Sequence, residues 1–367
     1  MKLLHTADWQ IGMRARHVGA GAAFVRARRI ASAKALATVA RDHGVDAVLV
    51  AGDVFEDNAV DRADVQSVVD ACAGFGVPTY VLPGNHDPLG TGSVWEYGAW
   101  AGAANVTVLR SPAPLPMAPG ITLYPCPAFT KMSSADPTAW IADASAEGTR
   151  IGIAHGTVMN AVVAEDCFPI RPDAASALGL DYLALGHWHS FAAYEGDAGG
   201  ARMAYSGTHE TTKFGERDSG NVLIVDIPGR GGLPHFTRVP TGALHWHQLV
   251  CDISGAVDIE RVIREVDALP EPAQSLLEVR LSGVVQPAQF AQVQLLREKI
   301  AARFPLLGRI DDAGLLPAPD GDAWAETLPA GLLRDVARDL CAGGSESAAR
   351  ALMMLYRYSV ESGEVAA

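Results

Sequence analysis

The side chains of this sequence that could do chemistry are carboxylates, amides and imidazoles that come directly after short apolar segments. Such oxygen and nitrogen ligands suit a borderline-hard divalent ion such as Mn²⁺, Fe²⁺ or Zn²⁺ better than a soft one. Two ions about 3.5–4 Å apart could share one carboxylate, activate a water and stabilise both oxygens of an in-line displacement at phosphorus. The sequence therefore predicts phosphate ester hydrolysis. The candidates are Asp8, Gln10, Asp53, Asn85, His86, Asp87, His155, His187 and His189.

Each candidate taken alone also has an ordinary structural explanation. Asp8 after a strand is more often a cap or turn residue than a ligand, and Gly52-Asp53 is a common turn dipeptide. The run Gly84-Asn85-His86-Asp87 is harder to explain, because no ordinary turn requires these four residues. In His187-Trp188-His189 the two imidazoles lie on the same side if the chain is extended. The order of these motifs along the chain therefore favours a functional site.

The elements that would position these side chains alternate between strands and helices. Helices are predicted over 24–43, which stops at a glycine suited to a left-handed cap, and over 60–75. Alternation of this kind predicts an α/β layered core, in which ligands gather at the carboxyl ends of the strands. Each polar cluster follows one of the strands that the apolar segments predict, over 2–6, 45–50, 79–82, 150–154 and 182–185.

The rest of the chain predicts more strands and then a second unit. Strands are predicted over 201–206, 221–227 and 235–239, separated by glycine-rich turns. From about residue 244 the composition changes to a small α+β unit, and a Pro/Gly/Asp-rich stretch at 315–322 precedes two terminal helices. These helices are predicted over 323–341 and 345–360. The expected domains are 1–243, 244–314 and 323–362.

The net charge of −13 counts against a protein that coats nucleic acid without specificity, since phosphate binding relies on clustered Lys and Arg. Any DNA contact must therefore be local. Arg14 and Arg16 are the candidate DNA contacts, and a solvated helix face is the alternative for their cluster. That basic cluster comprises Arg14, Arg16, Arg26, Arg28, Arg29, Lys34 and Arg41.

The sequence also suggests a compartment. It contains no apolar run near the ~18 residues of a membrane helix, and its first residues lack the apolar core of a signal peptide. Its five cysteines include no CxxC pair, so they predict buried thiols rather than a disulfide framework or a zinc-thiolate site. We expect a cytoplasmic protein that does not associate with a membrane.

Taken together, the motifs resemble the five-motif signature of the calcineurin-like metallophosphoesterases over about the first 210 residues. Within that superfamily the chain is most similar to the SbcD nucleases, subunits of the bacterial SbcCD complex that process DNA breaks. The finer cues include the opening Leu-His-Thr-Ala-Asp-Trp. The other segments that carry this closer similarity are Gly52-Asp53-Val54-Phe55, Tyr205-Ser206-Gly207-Thr208 and Phe214-Gly215-Glu216.

The resemblance implies a layered α/β/β/α sandwich with a small α+β capping domain and C-terminal helices. It implies two divalent ions, Mn²⁺ above all, with Fe²⁺, Zn²⁺ or Mg²⁺ as alternatives. His86 would then donate a proton to the leaving 3′ oxygen, and Asp87 would support its imidazole. By the same resemblance, the first metal would be held by Asp8, Gln10, Asp53 and His189. The second would be held by Asp53, Asn85, His155 and His187, with Asp53 as the bridge.

Two departures from the family pattern matter. Gln10 stands where the family usually has histidine, and a neutral amide oxygen is a weaker ligand, so the first metal is expected to bind more loosely. Thr208-His209-Glu210 stands where the family more often has Ser-Pro, and we expect His209 in a surface loop. Glu56, three residues after the expected bridge, is predicted to be a solvated loop acid.

Three functions are compatible with the sequence. The leading hypothesis is a DNA repair exonuclease and endonuclease, which the resemblance would make a homodimer and the partner of an SbcC-like ATPase. The ATPase would dock on the C-terminal helices, around the apolar stripe at 352–356. A phosphodiesterase of small nucleotides or other diesters is the alternative, because a fold does not fix a substrate. The third is a weakly active scaffold that binds DNA or the ATPase.

Overall fold

The computed structural model describes residues 1–141, 147–159, 167–195, 199–318 and 321–362. The chain forms two compact units, Met1–Leu244 and His245–Ala367. Each unit has its own hydrophobic core. The candidate ligands all belong to the first unit, so the sheets of that unit position the site.

The first unit contains three α-helices among its described residues: α1 (Ala22–His43), α2 (Arg62–Ala73) and the short α3 (Ala174–Ala177). Three 3₁₀ turns, Arg16–Gly21, Val94–Glu96 and Gly98–Gly102, lie between the larger elements. Its strands are β1 (Lys2–Thr6), β2 (Ala47–Ala51), β3 (Thr79–Leu82), β4 (Val106–Val108), β5 (Leu115–Ala118), β6 (Ile121–Cys126), β7 (Thr149–His155), β8 (Thr157–Val158), β9 (Pro169–Ile170), β10 (Tyr182–Gly186), β11 (Ala192–Glu195), β12 (Ala201–Tyr205), β13 (Asn221–Asp226) and β14 (His235–Pro240). The predicted strands and helices of this unit are confirmed within a few residues.

Twelve of these strands form two six-stranded sheets. The first has the order β14-β13-β1-β2-β3-β4, and β1 to β4 run parallel in it. The second has the order β11-β12-β10-β7-β6-β5, with β6, β7, β10 and β12 parallel. Both sheets thus present several carboxyl ends at one edge. A parallel sheet of this kind gathers ligands there.

The two sheets are packed face to face, and helices cover their outer faces. Leu49 of β2 and Ile153 of β7 belong to one buried cluster between the sheets. Leu36 of α1 and Val68 of α2 pack with Val50 on the outer face of the first sheet. The α3 segment packs on the second sheet through Ala174 and Ala175. This is the α/β/β/α sandwich that the sequence predicts.

Local sequence explains where α1 ends. Gly44 follows the helix with φ 59° and ψ 50°, and its N–H donates to the carbonyls of Ala40 and Arg41. Glycine adopts this left-handed conformation without the steric cost that a Cβ brings. The chain is then free to enter β2, which carries it toward Asp53.

The second unit alternates strands and helices. Its sheet has the order β15-β16-β17, and both pairs are parallel. The elements are β15 (His245–Ile253), α4 (Ala256–Ala268), a 3₁₀ turn (Pro272–Gln274), β16 (Ser275–Val285), α5 (Pro287–Arg303), β17 (Leu307–Pro317), α6 (Gly321–Thr327), α7 (Leu332–Ala342) and α8 (Glu346–Glu361).

Two sequence predictions in this unit are wrong. The single helix over 323–341 is two helices, because α6 ends at Thr327 and α7 begins at Leu332. Pro329 lies in the break, where a residue without an N–H disfavours a continuous helix. The stretch that begins at residue 315 continues a strand to Pro317, since β17 pairs with β16. Residues 319–320 of that stretch lie outside the described residues.

The C-terminal helices pack within the second unit. Trp324 of α6 and Tyr356 of α8 lie in one buried cluster, with ring centroids 5.3 Å apart. Leu352, Met353 and Leu355 pack against that cluster. The apolar stripe expected to dock an ATPase is therefore largely core. The large apolar side chains exposed on α7 and α8 are Leu332, Val336, Met354 and Tyr358.

Two further features bear on the sequence predictions. Three of the five cysteines, Cys72, Cys126 and Cys251, are buried thiols, as predicted. Among the helices that the structure describes, none is long and apolar enough to cross a membrane.

Candidate metal centre

The parallel strands bring the predicted ligands to one edge of the sandwich. Asp8, Asp53 and Asn85 follow the adjacent parallel strands β1, β2 and β3. His155 ends β7, and His187 follows the adjacent strand β10, whose Gly186 is paired with His155. The facing edges of the two sheets thus each supply ligands. Asp8 and His187, which are 179 positions apart in sequence, hydrogen-bond there.

Three of these side chains form a compact cluster. The ligand atoms of Asp53, His155 and His187 all lie within 4.8 Å of one another. The Oδ1 atom of Asn85 lies 2.9 Å from Nε2 of His155 and 3.0 Å from Nδ1 of His187. Oδ2 of Asp53 lies 3.3 Å from the same Nε2 of His155. The structure therefore brings together all four side chains expected at the second metal.

The chemistry of this donor set fits a divalent cation. Nδ1 of His155 lies 2.9 Å from the carbonyl of Ala51, which can only accept a hydrogen bond. That contact places a proton on Nδ1, so Nε2 is the ring nitrogen that can bind a metal. Nε2 faces oxygens of Asn85 and Asp53, which can bind the same metal. A bound cation would satisfy all of them at once, and fixing the ring through its second nitrogen is typical of metal-binding histidines.

The electric field of the cluster also favours positive charge. Burial above all, and also the nearby Asp53 carboxylate, raise the pKa of Asp8 to about 6, despite the lowering effect of His155 and His189. Burial alone would lower the pKa of His155, but the charge and hydrogen bond of Asp53, with Asp8, raise it to about 9. Two buried carboxylates thus draw a cation to this edge.

The loops that carry the residues expected at the first metal lie beside this cluster. The carboxylate of Asp8 is buried and accepts the N–H of His187, with N–O distances of 3.1 and 3.2 Å. The N–H of Gln10 donates to the carbonyl of Asp53 at 2.9 Å, which holds the two loops together. Gln10 is 8% exposed.

His189 is oriented by a carboxylate that the sequence did not assign a role. Its Nδ1 lies 2.8 Å from Oε1 of Glu216 and 3.3 Å from the hydroxyl of Thr212. The N–H of Thr212 also donates to Glu216 at 2.7 Å. Nε2 of His189 therefore remains for a metal. Such carboxylate–histidine pairs fix the ring and raise its basicity as a ligand.

The backbone is strained at the ligand positions. Asp8, Gln10, Asp53 and His187 have φ values of 55°, 42°, 49° and 109°, which residues other than glycine rarely adopt. Non-glycine residues in this region cost roughly 1–3 kcal/mol each and cluster at functional sites. Gly84 shows why the motifs contain glycine, since a Cβ there would lie 2.2 Å from Oδ1 of Asp53.

His86 and Asp87 take different roles in the loop after β3. His86 has its side chain 39% exposed, its Nδ1 lies 2.9 Å from the carbonyl of Glu56, and its Nε2 lies 3.9 Å from Oδ2 of Asp53. The carboxylate of Asp87 accepts the N–H of Phe55 at 2.8 Å and of Gly84 at 2.6 Å. The imidazole of His86 was expected to be held by the carboxylate of Asp87, but the backbone carbonyl of Glu56 holds it instead. Asp87 instead holds the loop in place.

A buried arginine anchors the loop that carries Asp8. Arg29 is 1% exposed, and its guanidinium donates to the carbonyls of Asp8, Trp9 and Glu210. Burial lowers its pKa to about 10, against the raising effect of Glu210 and other carboxylates. The prediction that Arg29 belongs to a phosphate-facing or solvated patch is wrong.

The loop at 208–210 is buried, and the prediction of a surface position for His209 is wrong. His209 is fully buried, its Nε2 lies 2.9 Å from the carbonyl of Arg29, and its ring lies 5.6 Å from that of Trp9. The carboxylate of Glu210 accepts the N–H of Ala243 and of Leu244 at 2.9 and 3.0 Å. This loop therefore ties α1 to the end of the first unit.

The other basic side chains remain at the surface. Arg14 and Arg16 are exposed, and Arg26 donates to the carbonyl of Arg14 at 3.1 Å. A cavity of about 620 Å³ is lined by Gln10, Arg14 and Arg26, together with Asp61 and Asp64. Arg14 thus shares a cavity with a candidate ligand, whereas Arg16 is not among the residues that line it.

Comparison with known families agrees with this geometry. The calcineurin-like phosphoesterase family matches residues 1–191, which carry β1 to β10 and all of the candidate ligands. The chain belongs to the calcineurin-like phosphoesterase family. Members of this family are metal-dependent, so the donor set described above has the expected chemistry.

The solved structures similar to this phosphoesterase include two that are 11% identical to it, and no curated protein sequence matches it. TT1561 of Thermus thermophilus is 11% identical with a TM-score of 0.44, covering 65% of this chain and 98% of its own. A second crystal structure is 11% identical with a TM-score of 0.43, with the same coverage.

The contact between His189 and Glu216 gives a first prediction for this phosphoesterase. We expect Glu216→Gln to weaken metal binding about 10- to 100-fold, since the ring of His189 loses a charged acceptor that orients it. Calorimetric titration with Mn²⁺ measures the affinity. Asp218→Asn is the matched control, because its carboxylate is 59% exposed and pairs with Arg238. Equal affinities for the two variants would contradict the prediction.

Proposed function

We propose that this phosphoesterase is a phosphodiesterase that cleaves DNA, an exonuclease and endonuclease of the SbcD type in the cytoplasm. The observation that carries the proposal is the convergence of Asp53, Asn85, His155 and His187 beside the exposed imidazole of His86. Cleavage of a phosphodiester needs cations that bind the phosphoryl oxygens and a proton donor for the leaving oxygen. This edge of the sandwich offers ligands for such cations and an exposed imidazole as the proton donor.

In this proposal two divalent ions, Mn²⁺ above all, occupy the centre. Asp8, Gln10, Asp53 and His189 would hold one, and Asp53, Asn85, His155 and His187 would hold the other. When bound, the ions polarise the phosphoryl group and lower the pKa of water. The strained loops of the protein supply the fixed positions of these ligands.

His86 is proposed to act as the proton donor. Water adds to phosphorus and loses one proton to solvent while the bond to the 3′ oxygen breaks. That oxygen takes a proton from Nε2 of His86, and the ring then regains a proton from solvent. The carbonyl of Glu56 holds the Nδ1–H, so the ring presents Nε2 on the side of Asp53. An imidazole is the commonest general acid in enzymes.

A local group of positively charged side chains supports DNA as the substrate. Arg14 and Arg16 are exposed, and Arg14 shares a cavity with Gln10, so a phosphate of a DNA strand could reach it from the centre. The proposal includes a homodimer and an SbcC-like ATPase partner. Both rest on the sequence resemblance.

A small nucleotide diester is the second candidate substrate. The net charge of −13 favours it, as do Asp61 and Asp64 in the cavity that contains Arg14. Carboxylates beside a groove repel a long polyanion more than a single diester.

One experiment separates these substrates. The purified protein with Mn²⁺ is offered linear duplex DNA, single-stranded DNA and bis(p-nitrophenyl) phosphate, each with a chelator control. Metal-dependent degradation of DNA supports the nuclease. Turnover of the small diester alone supports the second candidate, and no turnover of any of the three overturns the proposed phosphodiesterase.

Gln10 gives a prediction about the first metal. We expect Gln10→His to tighten Mn²⁺ binding at one of two sites by roughly tenfold, because an imidazole is a stronger ligand than an amide oxygen. Two-site calorimetric titration measures the change. Gln66→His, which adds a histidine to an exposed position of α2, is the control. Unchanged affinity of the Gln10 variant would contradict the expected weakness of the first site.

A further inference from the structure

An exposed tryptophan separates two of the candidate metal ligands. Trp188 is 57% exposed, whereas Trp9 and Trp95 are fully buried and Trp100 and Trp324 are each 7% exposed. His187 and His189 on either side of it are partly buried, and both turn toward polar partners of the centre. An indole that stays in solvent exposes apolar surface to water, which is unfavourable in free energy. Neither the metal centre nor the core of the sandwich accounts for its position.

Trp188 lines a groove that shares two residues, His187 and His189, with the candidate metal centre. The groove measures about 410 Å³ and is lined by His187, Trp188 and His189, together with Ser190 and residues 213–216. Small-molecule sites have volumes of about 300–1,000 Å³. Two of the residues that line the groove, His187 and His189, are candidate metal ligands. Part of a substrate bound in the groove would therefore lie next to the reacting phosphate.

The other walls of the groove combine an aromatic ring and a cation. Phe214 is half-buried and Lys213 is exposed, and both line the groove with Trp188. A flat aromatic surface beside a cation matches a nucleotide, since the base can stack on the indole while an ammonium contacts a phosphate. A purely aliphatic diester has no flat ring to stack on the indole.

We propose that Trp188 is the stacking surface for a nucleobase next to the scissile phosphate, and that Lys213 contacts a neighbouring phosphate. This inference rests on the proposed phosphodiesterase function and names its substrate class, which is a nucleotide diester with an unstacked base. In DNA such bases occur in single strands and at frayed or flipped ends. Duplex interior bases are stacked on their neighbours and do not offer a free face.

Binding measured without metal tests the subsite apart from catalysis. Fluorescein-labelled oligothymidylate and an abasic oligomer of equal length are titrated with the full-length protein in a chelating buffer, and anisotropy gives each affinity. We expect the base-containing strand to bind about 5- to 150-fold more tightly, the range that base–aromatic stacking provides. Trp188→Ala should remove this preference, and Trp188→Phe should restore part of it.

Two matched variants sharpen the result. Tyr358→Ala removes another aromatic side chain, 66% exposed and in the second unit, and should keep the preference. Lys213→Ala should weaken both strands alike and reduce the salt dependence of binding by about one charge, because phosphate contacts ignore the base. Equal affinity of the unaltered protein for both strands, or an unchanged preference in Trp188→Ala, would overturn the subsite.

Hydrolysis distinguishes failure of the subsite from failure of the proposed function. The KM of thymidine 5′-(p-nitrophenyl phosphate) is compared with that of methyl p-nitrophenyl phosphate, which has no base. We expect Trp188→Ala to raise the first KM relative to the second by about tenfold. Hydrolysis of both diesters without any effect of Trp188→Ala on that ratio keeps the phosphodiesterase and rejects the subsite. Base-dependent binding without hydrolysis of either diester keeps the subsite and rejects the phosphodiesterase.

Discussion

Replacing His86 by alanine is expected to lower kcat for the proposed cleavage of DNA by about 10²- to 10⁴-fold, the usual contribution of a general acid. The ring is held through Nδ1 by the carbonyl of Glu56, and its Nε2 lies 3.9 Å from Asp53 without belonging to the cluster of ligand atoms. Metal affinity should therefore stay unchanged. Steady-state kinetics and calorimetric titration on the same variant measure both quantities.

The leaving group decides whether this loss reflects proton donation. A p-nitrophenolate leaves without a proton, so His86→Ala should slow bis(p-nitrophenyl) phosphate much less than DNA. His235→Ala, an exposed histidine on β14, is the control and should leave both rates unchanged. An equal loss with both substrates would show that His86 acts on ground-state binding or on the metal instead.

Replacing Arg29 by methionine is expected to lower the free energy of unfolding by about 3–5 kcal/mol. The change removes the guanidinium that donates to the buried carbonyls of Asp8, Trp9 and Glu210. The hydroxyl of Thr208 still lies 2.8 and 3.0 Å from the carbonyls of Asp8 and Glu210, but it has one proton to donate, and an unpaired buried acceptor costs about 1–3 kcal/mol. The change also removes the cation beside buried carboxylates, a loss of similar size. Urea denaturation followed by circular dichroism measures the change.

The neighbouring arginine supplies the control for this variant. Arg28 lies over the ring of Phe24 at 5.3 Å on the outer side of α1, so Arg28→Met should change the free energy of unfolding by less than about 1 kcal/mol. The Arg29 variant should also bind Mn²⁺ more weakly, since the loop that carries Asp8 loses its anchor. Equal stability of the two variants would show that Arg29 is not the anchor.

The positions of the candidate ligands could be predicted because each depends on a local pattern. A short apolar strand followed by Asp8, Asp53 or Asn85 is visible in sequence, and parallel strands bring such ends together. The glycines of these motifs are equally local, as Gly84 shows by leaving no room for a Cβ beside Asp53.

Errors arose where a role depends on residues far apart. In the sequence Arg29 is one basic residue among several. Its hydrogen bonds to the carbonyls of Asp8, Trp9 and, 181 residues away, Glu210 make it part of the core. The sequence predicts a surface loop position for His209, but its side chain is buried against Trp9. In the second unit, β17 is a strand because β16 pairs with it, which residues 307–317 do not reveal by themselves.

The sequence by itself determined the layered α/β core and the residue types of the metal centre, since apolar periodicity and strand-end polar residues are local properties. The tertiary structure alone decided which groups support those ligands. Glu216 orients His189 across 27 residues, and the carbonyl of Glu56, rather than the carboxylate of Asp87, holds His86. A hydrogen bond needs atoms placed within a few tenths of an ångström, and only the packed loops fix positions that closely.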